Sequence, residues 1–195
     1  LRSMASQLSE LAGHEVHPVS LLHSSKIAAS ELDGIAAETV EPFIKKRWAS
    51  GLRDFIIIPL FFGPSGAVVD YLPKRMEAIK LDHPGLTVKI APCVVDLAQT
   101  EDTRIASALA EIALEKLQQL KLTQASVTLV DHGSPRMEVT QVRNHLAEQL
   151  QSQLVSSHFK VVASSMERRE GSQYEFNEPL LENLLGTTDF LNNVI

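Results

Sequence analysis

Between Ser126 and Pro135 the chain switches from a strand pattern to a helix pattern, and that switch restricts the fold more than any other stretch. Ser126-Val-Thr-Leu-Val-Asp131 is apolar and strand-like. His132, Gly133 and Ser134 follow it. Val139, Val142, Leu146, Leu150 and Leu154 then recur on one helical stripe. A buried strand that feeds an amphipathic helix is the opening of a βα unit, which requires a parallel neighbour. Open α/β sheets place ligands beyond the carboxyl ends of their strands. His132 is at such an end.

The same alternation runs through the rest of the chain. Residues 1–13 read as a helix closed by Gly13. His17–Leu22 reads as a strand, about 36–50 as a helix closed by Gly51, and Phe55–Phe62 as a central parallel strand, apolar on both faces. A tight loop, Gly63-Pro-Ser-Gly66, leads to a helix over about 68–80, broken near Leu72-Pro73. Leu86–Val95 is a strand. The helix over about 103–121 carries Ile105, Leu109, Ile112 and Leu120 at helical spacing. Phe159–Ala163 is a strand, about 177–185 a helix, and the segment from Phe190 opens another strand. The expected class is α/β with a mainly parallel sheet.

The chain also repeats itself. Val19–Ser25 parallels Lys160–Ser165, Glu41-Pro-Phe-Ile44 parallels Glu178-Pro-Leu-Leu181, and Leu52–Ile56 parallels the segment from Asp189. Two tandem βα modules follow, residues 1–122 and 123–195. The first lacks a counterpart of Val127–Ser134, and the second stops before a counterpart of Phe55–Pro73. The repeat therefore predicts an internal piece of a longer two-domain protein.

Composition excludes several function classes. The net charge of −6 gives no electrostatic footprint for nucleic acid. The single cysteine, Cys93, excludes an internal disulfide framework, and its apolar setting reads as a buried structural thiol. The longest apolar run is too short to span a bilayer, and no signal-peptide pattern opens the chain. A cytoplasmic protein is expected, or a plastid one in a photosynthetic eukaryote.

His132 has two readings. It is a ligand or base facing a crevice, since imidazole binds divalent metals and accepts protons near neutral pH, or it is a capping or core histidine. Gly133 lets the backbone turn sharply, and Ser134 and Pro135 suit a helix start. Glu167, in Ser164-Ser-Met-Glu167, follows the neighbouring strand and could approach His132. A carboxylate and an imidazole together hold a divalent ion or pass protons. Glu167 also reads simply as a surface charge beside Arg168 and Arg169. Gly63, Pro64 and Ser65 form a loop that a flat or anionic ligand could approach. It lacks the Gly-Lys-Ser/Thr of a Walker loop, and no Gly-x-Gly-x-x-Gly or Gly-x-Ser-x-Gly occurs. His23, at a strand end, is a candidate substrate contact.

Pro59–Pro73 with His83-Pro-Gly85, Val130-Asp-His-Gly-Ser134, and Ser165-Met-Glu-Arg-Arg-Glu-Gly171 together resemble the CbiX-type sirohydrochlorin chelatases. The resemblance runs through nearly the whole chain in order. It implies a class II chelatase-like fold, two α/β modules facing a cleft, and ATP-independent insertion of cobalt or iron into sirohydrochlorin, on the routes to cobalamin or sirohaem. His132 matches the family's metal-binding, proton-removing histidine, and Glu167 matches its Met-Glu glutamate. Ser134, Gly63, Pro64, Ser65 and His23 are then expected to contact the tetrapyrrole. The metal, Co²⁺ or Fe²⁺, is a substrate, and no prosthetic group is expected. A homo-oligomer is compatible with the family.

The chain departs from the pattern where the first module's second histidine would stand, a position held by Ala67. The counterpart in the second module would lie past Ile195. The first module is thus expected to be non-catalytic and the second catalytic but short of one ligand. Two other readings stay open: a non-catalytic tetrapyrrole- or metal-binding module, and an inactive fragment of such a chelatase.

Overall fold

A computed structural model describes residues 1–22, 26–154 and 159–187. His23 and the closing segment from Asp189 lie outside the described residues. The chain divides into two compact units, residues 1–57 with 70–91 and residues 58–69 with 92–195. Compactness thus groups residues 92–122 with the second unit, while the sequence repeat sets its module boundary after 122. The physical link is a helix of that segment that packs on the second unit's main helix.

The first unit begins with α1 (Arg2–Ala12), which ends at Gly13 in the left-handed conformation with its N–H bonded to Ser9 O. Helices α2 (Val40–Ala49) and α3 (Leu72–Asp82) cover one face of a two-stranded parallel sheet, β1 (Asp54–Ile57) and β2 (Thr87–Ile90). Val40, Phe43, Ile44, Leu72, Met76, Ile79 and Leu86 form the core, and Phe55, Ile57, Val88 and Ile90 pack against it from the sheet. Each fully buried side chain of this kind contributes about 2 kcal/mol.

The other face of this sheet departs from the expected central strand. Ile56 is 71% exposed, and Ile58, Leu60 and Phe62 are exposed as well. The regular ladder stops at Ile57, beyond which Val94 and Val95 N–H still donate to Phe61 O and Phe62 O. Among the described residues the sheet has two strands with helices on one side, and alternate residues on the other face are left exposed. The run Phe55–Phe62 is therefore half-buried where it is a strand, and Phe61 and Phe62 are not core.

In the second unit β3 (Ala125–Asp131) pairs in parallel with β4 (Phe159–Ser165), from Ala125 opposite Phe159 to Asp131 opposite Ser165. The two strands therefore end side by side. Helix α5 (Met137–Gln153) lies on this sheet and α4 (Arg104–Gln119) packs on α5. Val142, Leu146, Leu150 and Leu154 are buried, as their spacing predicts. On α4 the buried stripe is Ala106, Ala110, Ala113 and Leu117, while Ile112 is 64% exposed. The expected aliphatic stripe is thus corrected. Alanines let α4 sit close to the Leu150 and Leu154 cluster, Leu109 packs against it as expected, and Ile112 and Leu120 turn outward. Cys93 is half-buried rather than buried.

A 3-10 turn (Ser172–Asn177) and the short helix α6 (Leu181–Leu185) follow β4. Ser20 bridges Thr39 just before α2, and Ser165 bridges Leu180 just before α6, both in parallel. The matched Glu-Pro pairs differ in setting: Pro42 lies inside α2, whereas Pro179 precedes α6. Among the described residues, no helix is long and apolar enough to cross a membrane.

Candidate functional site

The ends of β3 and β4 carry the candidate site, and their side-by-side termination decides its geometry. The ladder continues one step past the strands: Met166 N–H donates to Asp131 O at 2.9 Å and Glu167 N–H to His132 O at 3.2 Å. Glu167 is thereby laid against His132. The imidazole Nε2 lies 3.2 Å from Glu167 Oε1, with the two side chains 75% and 70% exposed. Two groups that sequence spacing leaves 35 positions apart meet at hydrogen-bond distance, open to solutes.

Gly133 makes the approach feasible. Its φ is +97°, in the region that favours glycine. A Cβ there would lie 1.9 Å from Glu167 O and 3.0 Å from its carbonyl carbon. Any side chain at 133 would push the end of β4 away from His132.

Beneath this exposed pair is a buried polar network. Asp131 Oδ1 accepts from Gly133 N–H at 3.1 Å and from the Ser165 hydroxyl at 2.6 Å. Arg143 of α5, 5% exposed, donates from Nη1 to Ser165 Oγ and to Asn177 O, the latter at 3.2 Å, and lies 3.5 Å from Asp131 Oδ1. Asn177, fully buried, accepts on Oδ1 from Ser134 N–H at 3.0 Å and from the Thr140 hydroxyl at 3.3 Å. Its Nδ2 donates to Ser134 O and Tyr174 O. Burial pulls the Arg143 guanidinium below its ordinary range, and the Asp131 charge opposes that. Sequence reading did not single out Asp131, Arg143 or Asn177 as site residues. One signal was available: Arg143 follows Val142 on a helix face otherwise occupied by Leu146 and Leu150, and a charge on an apolar stripe needs a buried partner.

The Ser134 hydroxyl accepts from Arg136 N–H at 3.1 Å, which turns the chain into α5. Gly63 is buried against the same helix: a Cβ there would meet Val142 Cγ2 at 3.2 Å and lie 3.5 Å from Val139 Cα. The close backbone approach at Gly63 is thus made to the first turns of α5. Ser65 N–H bonds back to Gly63 O at 2.8 Å, and its side-chain oxygen is buried without a hydrogen-bond partner among the described residues. Pro64 is half-buried between them. Ala67 opens a π-helical turn (Ala67–Tyr71), and its methyl group cannot ligate.

Among the described residues, no group of three or more His, Cys, Asp or Glu side chains converges as a metal cluster. As a pair, His132 and Glu167 could offer an ion two donors, one imidazole nitrogen and one carboxylate. The cavity of about 330 Å³ in this unit, lined by Leu109, Ile112, Val127 and Leu129 among others, includes neither residue in its lining.

No family model matches the chain, and no curated protein sequence does. The chain is similar in fold to SirB from Bacillus subtilis with Fe³⁺. The TM-score is 0.56 at 13% identity, covering 85% of this chain and 66% of SirB. The chain thus spans just under two thirds of the length of SirB. At this identity SirB bears on the fold: mixed α/β with short parallel sheets, as the strand and helix alternation predicts.

Proposed function

We propose that the chain belongs to a metal chelatase of the sirohydrochlorin type, which inserts Co²⁺ or Fe²⁺ into sirohydrochlorin without ATP. The observation that carries the proposal is the 3.2 Å pairing of His132 Nε2 with Glu167 Oε1 on adjacent, exposed strand ends. The fold likeness to SirB, a structure that contains Fe³⁺, supports it.

In this reading Glu167 and His132 hold the incoming ion, which is a substrate. Insertion exchanges two pyrrole N–H protons for one divalent ion, so two protons must leave the ring for each metal bound. Neutral imidazole accepts one of them as the metal–nitrogen bonds form, and the other passes to solvent water at the open site. Two protein donors leave the ion free to exchange water for pyrrole nitrogen. The Ser134 hydroxyl, the Gly63–Ser65 loop and His23 are the proposed contacts to the tetrapyrrole and its carboxylates. The two sequence modules, 1–122 and 123–195, take unequal parts, with catalysis assigned to the second.

The test is metal insertion followed by sirohydrochlorin absorbance with added Co²⁺ or Fe²⁺. His132→Ala is expected to remove most acceleration, and Glu167→Gln to reduce it. Undiminished insertion by His132→Ala would sink the proposal. Ala67, in place of a second histidine, favours a second reading, a non-catalytic tetrapyrrole- or metal-binding module. That module would shift the spectrum without speeding insertion.

A further inference from the structure

The side chains that meet at the site are exposed, while what fixes their meeting is buried. Four backbone segments flank His132 and Glu167, and one guanidinium joins three of them. Arg143 Nη1 bonds Ser165 Oγ, two residues before Glu167, and Asn177 O, and it lies 3.5 Å from Asp131 Oδ1, one residue before His132. Asn177 in turn clamps both the N–H and the C=O of Ser134, two residues after His132. The guanidinium's outer edge is also used: Nε and Nη2 donate to Asn144 Oδ1 at 3.1 and 2.9 Å. The fork is thus fixed in plane from both sides, which a lysine ammonium could not reproduce.

A buried arginine in an apolar helix face serves packing poorly, since leucine would fill the space without the desolvation cost. Its contacts instead converge on the one place where β3 and β4 hand their last residues to the site. We propose that Arg143 is a positioning residue, which sets the separation and orientation of His132 and Glu167 by tying Asp131, Ser165 and Asn177 together from below. It touches neither ion nor tetrapyrrole. The inference rests on the reading of His132 and Glu167 as an ion-holding pair. Partners behind metal ligands commonly change affinity by about 10–100-fold when altered.

The test is Co²⁺ titration of the 195-residue chain, followed by the visible absorption of the bound ion, with urea unfolding run in parallel. His132→Ala and Glu167→Gln are each expected to weaken Co²⁺ binding by about tenfold or more. Arg143→Lys keeps the charge and loses the fork, and is expected to weaken binding by about tenfold while remaining folded. In the Arg143→Lys background, Glu167→Gln is expected to add less than about twofold, because the pair is already apart. Ser165→Ala removes one strut with little volume change and should act in the same direction, so the inference is tested even where Arg143→Lys does not fold. Wild-type affinity in Arg143→Lys or Ser165→Ala, with His132→Ala still impaired, overturns the positioning role alone. A full Glu167→Gln effect in the Arg143→Lys background also overturns it, leaving a purely structural arginine. Unchanged binding in both His132→Ala and Glu167→Gln overturns the reading of the site and the inference together.

Discussion

The carbonyl oxygen of Glu167 stands 1.9 Å from where a Cβ on Gly133 would begin. The end of one strand therefore occupies the space that a side chain on the other would need. Gly133→Ala is expected to destabilise the fold by roughly 3 kcal/mol, from strain at φ +97° and displacement of the β4 end. Urea denaturation measures this. A loss under about 0.5 kcal/mol, the range of an ordinary surface change, would show that the approach is not needed.

Asn177→Leu probes the buried network from its far side. The change strips partners from Ser134 N–H, Ser134 O, Tyr174 O and the Thr140 hydroxyl at once. Unsatisfied buried groups make the expected cost roughly 2–4 kcal/mol. Equilibrium unfolding of the variant checks it, and wild-type stability would mean that the groups find water.

Two carboxylates predict an acid limb. Hydrogen bonds from the Arg104 side chain and backbone hold Asp102 down to about 2. Hydrogen bonds from Arg75, one at 2.6 Å, hold Glu41 below the usual carboxylate range against a smaller opposing effect of burial. Folded values below unfolded ones mean stability that is present above about pH 4 and lost as pH falls toward 2. Unfolding midpoints measured from pH 5 to 2 should fall, and less steeply in Asp102→Asn and Glu41→Gln. Equal slopes in variants and wild type would contradict both assignments.

Cys93 is half-buried, and burial pushes its thiol up. Thiolate is the reactive form. Alkylation by iodoacetamide at pH 8 should therefore run several-fold slower in the folded chain than in urea. Equal rates would show an open thiol.

The alternation of elements made the α/β class legible, because helical and strand periods are local properties. The α5 stripe was legible for the same reason. The α4 stripe was not. Periodicity weighted Ile112 and Leu120, whereas close helix packing selected Ala106, Ala110 and Ala113, whose small size is the useful property. Phe55–Phe62 misled in the opposite sense. Its composition fits a strand covered on both faces, but nothing covers Ile56 among the described residues, and coverage is tertiary. At the site, His132 and Glu167 were readable from their places after strands. Their separation was not, because it depends on the register that pairs Asp131 with Ser165. Arg143 and Asn177 were harder still, since a network has no sequence period.

The exposed pair on its buried base has a consequence in time. Exposed side chains change rotamer in picoseconds to nanoseconds, whereas strand ends held by a buried network separate only by local unfolding, orders of magnitude more slowly. His132 and Glu167 therefore part and meet again many times while the backbone beneath them keeps one registration. The address to which the two side chains return therefore does not drift.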